Sequence, residues 1–173
     1  YLVQAVDILH REDRPVTLTL VGRDLGSTAG FPSFLDEVLD GTSDSCRRSV
    51  HYAGVVPRTE IPSLVSHASA VVLPSIMEAH PMAWIEAMSC GAAVIASDRG
   101  PGPEVIQNGV DGLLCDPTDP VAIAVAVRKV LGDAQMAHGL GAAAREKALS
   151  AFSVESSVAA SVALYEAVLA DLT

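Results

Sequence analysis

Two glutamates, Glu78 and Glu86, stand eight residues apart on either side of a short loop and a helix start. A carboxylate accepts hydrogen bonds from two adjacent hydroxyls, the pattern that a sugar ring or a ribose offers. The stretch Ser75-Ile-Met-Glu-Ala-His-Pro81 runs from an apolar strand pattern into a helical one. A helix start carries unpaired N–H groups and the positive end of the helix dipole, so it favours phosphate. Two acceptors flanking such a helix start suit a sugar, a diphosphate and a ribose held in a row. Spacing alone does not single the pair out, because nine glutamates occur in 173 residues. The context does: apolar strand, Pro-Ser, Glu, loop, helix, Gly, apolar strand.

The elements that must position this pair alternate between β-branched runs and helical patterns. Tyr1 to Glu12 spaces Leu2, Ala5, Val6 and Leu9 on one helical face, and Val16 to Val21 follows as a strand closed by Gly22. Gly26 to Gly30 reads as a loop, Phe31 to Leu39 as a short helix, and Asp40 to Ser49 as polar and turn-like. Val50 to Ala53 is a second strand, closed by Gly54, and Thr59 to His67 a helix. Ala70 to Pro74 is the third strand, and Pro81 to Cys90 a helix with proline in its first turn and Gly91 past its end. Ala93 to Ala96 is the fourth strand, Glu104 to Gln107 a helical turn, and Gly112 to Cys115 a brief strand. Helices follow over Val121 to Leu131, Ala134 to Ser150 and Val154 to Leu169. Such alternation predicts one α/β domain over 1–173, a Rossmann-like parallel sheet with helices on both faces. The apolar runs at 70–73 and 93–96 suit strands at its centre. Ligands of such sheets bind beyond the carboxyl ends of the strands. Those loops carry Gly22, Arg23, Gly54, Val55 and Ser75.

Composition narrows the partners. A formal net charge of −10 with lysine only at 129 and 147 leaves no basic stripe for nucleic acid. No apolar stretch reaches bilayer length. Cys46, Cys90 and Cys115 are odd in number and widely spaced, which predicts buried thiols rather than disulfides or a zinc site. Unpaired thiols suit a reducing cytoplasm, and a cytoplasmic location, with peripheral attachment to the membrane in the intact protein as the alternative, is expected. The chain opens inside an amphipathic pattern without an initiator Met, so it is expected to be a piece of a longer protein. Other residues near the loops have plain structural readings. Trp84 falls at helix spacing for the core, Glu104 suits a cap or anchor of its helical turn, and Arg23 and Arg99 suit solvent or phosphate. His80 is placed equally well as a sugar contact or as polar surface.

The stretch from Leu73 to Ser97, with Glu78, seven intervening residues, Glu86-Ala-Met and then Gly91-Ala-Ala-Val94, resembles the signature of GT-B glycosyltransferases of family 4. The resemblance extends through Gly102-Pro-Glu-Val-Ile106, Asn108-Gly, Gly112-Leu-Leu and Pro117-Thr-Asp119. It reaches back to Leu20-Val-Gly22 and His51-Tyr-Ala-Gly54, covering residues 1–132 in order. It implies the C-terminal, donor-binding half of a GT-B fold and a retaining transfer that needs no metal or other cofactor. A UDP-, GDP- or ADP-sugar would be the donor substrate. By the same resemblance Glu78 acts at the donor sugar as the catalytic glutamate, and His80, Pro81 and Met82 lie against sugar and diphosphate. Glu86 would hold the ribose, while the loops at Gly22–Arg23, Gly54–Val55 and Ser75 approach the nucleotide. The family usually has Gly-Phe where this chain has Ala79-His80. Its Gly-Arg and Lys-Gly elements and its acceptor domain precede the helix that opens this chain, so binding without turnover is expected of these residues alone. Rival readings are a nucleotide-sugar epimerase or phosphorylase on the same half-fold, a dinucleotide module, and a non-catalytic interaction domain. The dinucleotide reading wants G-x-G-x-x-G, and the sequence offers only Gly22-Arg-Asp-Leu-Gly26.

Overall fold

The computed structural model describes residues 1–24, 26, 30 and 32–171. Strands β1 (Leu18–Val21) and β2 (Val50–Gly54) pair in parallel, and β3 (Val71–Leu73), β4 (Val94–Ser97) and β5 (Leu113–Cys115) form a second parallel sheet in that order. Helix α1 (Leu2–Arg11) joins the two sheets. Its Ala5 and Leu9 enter the core of the three-stranded sheet, and its Val3 and Val6 pack beside Leu18 and Val50 of the other.

Helices cover both faces because β4 alternates. Ile95 and Ala93 face a core built with Ile123, Ala124, Val127 and Val130 of α7 (Pro120–Gly132). Val94 and Ala96 face the opposite core, with Trp84, Ile85 and Met88 of α5 (Met82–Ser89) and Ala144 and Ala148 of α8 (Ala134–Ala151). Side chains two residues apart share a face, so a strand buried on both sides reads as an unbroken apolar run. The run at 70–73 behaves differently from the one at 93–96. Every residue of β4 is buried, whereas β3 pairs with β4 on one side only and its three residues stay half-buried. The centre of that sheet is β4, and β3 is its edge.

Two glycines let α5 and α8 touch. A Cβ on Gly141 would lie 2.1 Å from the Gly91 carbonyl oxygen, so only hydrogen fits there.

The polar stretch 40–49 is a correction. It contains α3 (Asp44–Ser49), preceded by α2 (Phe34–Leu39). Ser43 caps α3 by accepting from the Cys46 amide at 3.3 Å, and Asp44 and Arg47–Arg48 suit its two ends. The single buried side chain of α3, Cys46, supplies its core contact. A helix with so short an apolar face leaves almost no periodic signal. Helix α2 starts at Ser33, whose hydroxyl accepts from the Asp36 amide at 3.0 Å. Of the helix expected from Phe31, that first residue lies outside the described residues, as do residues 27–29 of the expected loop. The turn expected at Glu104–Gln107 is α6 (Gly102–Val105). Helix α4 (Ile61–His67) and helix α9 (Val154–Ala170) complete the chain. Helix α9 buries no residue and exposes Val154, Val158, Val162, Leu164, Tyr165, Val168 and Leu169. Among the described residues no single helix is long and apolar enough to cross a membrane, though α8 and α9, bent by 44°, pass that test together.

Candidate functional site

The strands of each sheet run parallel, so within each sheet their carboxyl ends lie on one side, and a cleft of about 640 Å³ brings the two sets together. It is lined by the start of α1, by Leu20–Asp24 at the end of β1, and by Pro74 and Ile76 at the end of β3. Of the sequence-derived site residues, Gly22 and Arg23 line this cleft; Glu78, His80, Pro81, Met82, Glu86, Gly54, Val55 and Ser75 do not. They lie at the end of β2 and in the loop after it, in the loop after β3, and on α5.

The loop after β1 is held from two sides. The Tyr52 hydroxyl on β2 donates to the Gly22 carbonyl at 2.8 Å and accepts from the Asp24 amide at 2.8 Å. The Asp24 carboxylate accepts from the amides of Gly26 at 2.8 Å and Phe34 at 3.1 Å, tying the loop to α2. Those bonds, the one from Gly26 foremost, hold its carboxyl below the usual range. The Gly22 amide also bonds the Gly54 carbonyl at 2.9 Å, which joins the loops after β1 and β2. Gly54 turns there with φ of 67°, a left-handed conformation that a side chain would strain. Neither Asp24 nor Tyr52 stands out in the sequence, because their partnership spans 28 residues.

The loop after β3 ends at Pro81, which caps α5 in place of a polar side chain. The Trp84 and Ile85 amides return to the Pro81 carbonyl at 3.0 and 3.2 Å, and Met82 bonds the His80 carbonyl at 2.9 Å. Among the described residues the amides of Ala79, His80 and Ala83 make no hydrogen bond. Helix α5 is fixed by burial of Trp84, Ile85, Ala87 and Met88, which leaves Met82, Ala83 and Glu86 on its outer face. Trp84 is core, as its spacing predicts. Glu78 is half-buried, and its carbonyl lies 3.6 Å from where a Cβ on Gly100 would be. The loop after β4 therefore lies against the loop that carries Glu78. His80 is exposed.

Glu86 is engaged. The Arg58 guanidinium, from the loop after β2, donates to its Oε1. Sequence reading does not single out Arg58. Arg99 is also occupied, by Asp116 Oδ1 and Thr118 Oγ1, each at 2.8 Å. Thr118 and Arg99 hold the Asp116 carboxyl below its usual range. Arg23 stays exposed. Glu104 does not cap its turn: α6 is capped by Pro101 without a side-chain bond, and Glu104 is exposed in the first turn, where its charge suits the helix dipole. The chain enters α6 through Gly102, where a Cβ would lie 2.1 Å from the Ser97 carbonyl oxygen. Cys46, Cys90 and Cys115 are all free, the first and last buried.

Residues 1–147 match the family model of glycosyl transferases group 1. The chain is 33% identical over 118 residues to a glycogen synthase of Mycobacterium tuberculosis, covering 68% of this chain and 28% of that protein. It is 31% identical over 171 residues to an MMP α-(1→4)-mannosyltransferase of Mycolicibacterium hassiacum, covering 98% of this chain and 40% of that one. The chain thus spans less than half the length of these curated relatives. Among solved structures, sucrose-phosphate synthase of Thermosynechococcus elongatus aligns over 98% of this chain and 43% of its own, with a TM-score of 0.77 at 26% identity. Anabaena HepE in complex with UDP-glucose aligns over 94% and 44%, with a TM-score of 0.80 at 23% identity. The C-terminal domain of a group 1 protein from Francisella tularensis aligns over 88% and 77%, with a TM-score of 0.75 at 20% identity.

Proposed function

We propose a donor-binding function for this chain, which belongs to the glycosyl transferases group 1. The observation that carries the proposal is the outer end of α5. Unpaired amides at 79, 80 and 83 and the Glu86 carboxylate lie at the exposed end and face of a helix whose other side is locked in the core. Amides there take the diphosphate of a nucleotide-sugar, because they act through fixed dipoles and need no rearrangement on binding. Glu86 takes the ribose hydroxyls. Glu78 and His80 face the sugar, and the loops at Gly22–Arg23, Gly54–Val55 and Ser75 face the nucleotide. The complex of Anabaena HepE with UDP-glucose supports this reading.

Transfer itself is proposed to retain anomeric configuration and to run without a metal. It requires an acceptor-binding region and further cations outside these residues. Such cations would stabilise the charge that develops on a departing diphosphate.

Calorimetric titration of UDP, GDP and ADP, each with a cognate sugar nucleotide, tests the binding step. At least one nucleotide is expected to bind, and Glu86→Gln to weaken it about 10-fold, the loss of a charge-assisted hydrogen bond. A chain that binds none, or a variant that binds as well as the parent, refutes the proposal. The longer protein should transfer sugar in the presence of EDTA, whereas these 173 residues should not transfer it at all.

A further inference from the structure

The structure assigns Arg58 as a positioning residue: it aims the Glu86 carboxylate and thereby couples ribose recognition to the loop after β2. The inference rests on the reading of Glu86 as the ribose acceptor.

Arg58 and Glu86 come from different elements, 28 residues apart, and each is fixed by its own backbone. Arg58 is the second residue of a tight turn, closed by the Glu60 amide donating to the Pro57 carbonyl at 2.9 Å. Helix α4 follows that turn directly, and its Val65 packs against the core cluster that holds α5. Glu86 rides on α5, anchored by the buried Trp84, Ile85, Ala87 and Met88. Two rigid supports therefore bring one cation to one carboxylate oxygen, Oε1. A carboxylate on a helix otherwise samples several rotamers, and ordering it is a cost that ribose binding must bear.

The ion pair contributes little to folding, because the Arg58 side chain is 83% exposed. Its effect is directional and electrostatic. A guanidinium holding one oxygen orients the carboxylate so that its remaining lone pairs meet hydroxyls. Because Arg58 lies in the same loop as Gly54 and Val55, contact of a base with that loop would reach the ribose acceptor through this pair.

The test is a double-mutant cycle on nucleotide affinity. UDP, GDP and ADP and their 2′,3′-dideoxy counterparts are titrated against the parent, Arg58→Ala, Arg58→Lys, Glu86→Gln and the Arg58→Ala/Glu86→Gln pair. Arg58→Ala is expected to weaken the ribonucleotide that binds by about 3–10-fold and to leave its dideoxy counterpart unchanged. Arg58→Lys should recover part of the loss, since it keeps the charge without the planar fork. In the Glu86→Gln background, Arg58→Ala should cost nothing more. If Glu86→Gln leaves ribonucleotide affinity intact, the reading of Glu86 fails and this inference with it. If Glu86→Gln weakens binding while Arg58→Ala does not, this inference alone fails. Equal weakening of ribo- and dideoxynucleotides by Arg58→Ala also overturns it, since the arginine would then contact phosphate or base directly.

Discussion

The Asp7 carboxylate on α1 accepts from both the amide and the hydroxyl of Ser43, at 2.9 and 2.5 Å, across 36 residues of sequence. Its other oxygen accepts from Arg11 at 2.8 Å. Ser43 is also the cap of α3, so one buried carboxylate fixes where two helices meet. Asp7→Ala is expected to destabilise the chain by about 1–3 kcal/mol, since it strands a helix cap and an amide. Urea unfolding monitored by circular dichroism checks this; an unchanged midpoint would show that the contact is dispensable.

Gly102 sets the path between β4 and α6. Gly102→Ala places a methyl group against the Ser97 carbonyl, backbone on backbone, and one of them must move. The expected cost is about 1–3 kcal/mol. The loop that shifts lies against Glu78 through Gly100, so nucleotide-sugar affinity should fall while affinity for the nucleotide alone changes less. Equal losses for both ligands would contradict that coupling.

Tyr52→Phe removes the hydroxyl that clasps the Gly22–Asp24 loop. The Asp24 amide loses its acceptor, and native-state hydrogen exchange at that amide should speed up several-fold. The expected loss of stability is small, about 1 kcal/mol. Unchanged exchange at Asp24 would mean that its bonds to the amides of Gly26 and Phe34 suffice to hold the loop.

The Cys115 thiol is pushed up to about 11 from 9.0, by burial first and then by the negative charges of Asp98, Asp116 and Asp119. A raised folded-state value means that the folded chain resists losing this proton more than the unfolded chain does. Its contribution to stability is therefore complete below about pH 9 and disappears as pH climbs through 11. Comparing urea midpoints of the parent and Cys115→Ala between these pH values should show a steeper decline for the parent. Parallel declines would reject it.

Most elements were legible because their cores are periodic. Val94 to Ser97 and the α5 face built on Trp84, Ile85, Ala87 and Met88 announce themselves by apolar type alone. Helix α3 was not legible, since its capping serine and one buried cysteine make no period. The division of the parallel strands into two sheets is invisible in the sequence too, because pairing between strands is non-local. At the site, the sequence marks Glu78 and Glu86 by their setting, but not the partner of Glu86. An arginine in a polar turn looks like solvated surface until the fold places α5 beside it. The Tyr52 clasp is hidden for the same reason: an exposed tyrosine on a strand has no local signature of its distant bonds.

Helix α9 separates two properties that are usually improved together. Its apolar side chains are not buried in a core, so they add little to heat resistance, while they are apolar area that the folded chain leaves in water. Replacing Val158 and Val162 with lysine should raise solubility and leave the melting temperature where it was. Filling the interior better would do the reverse.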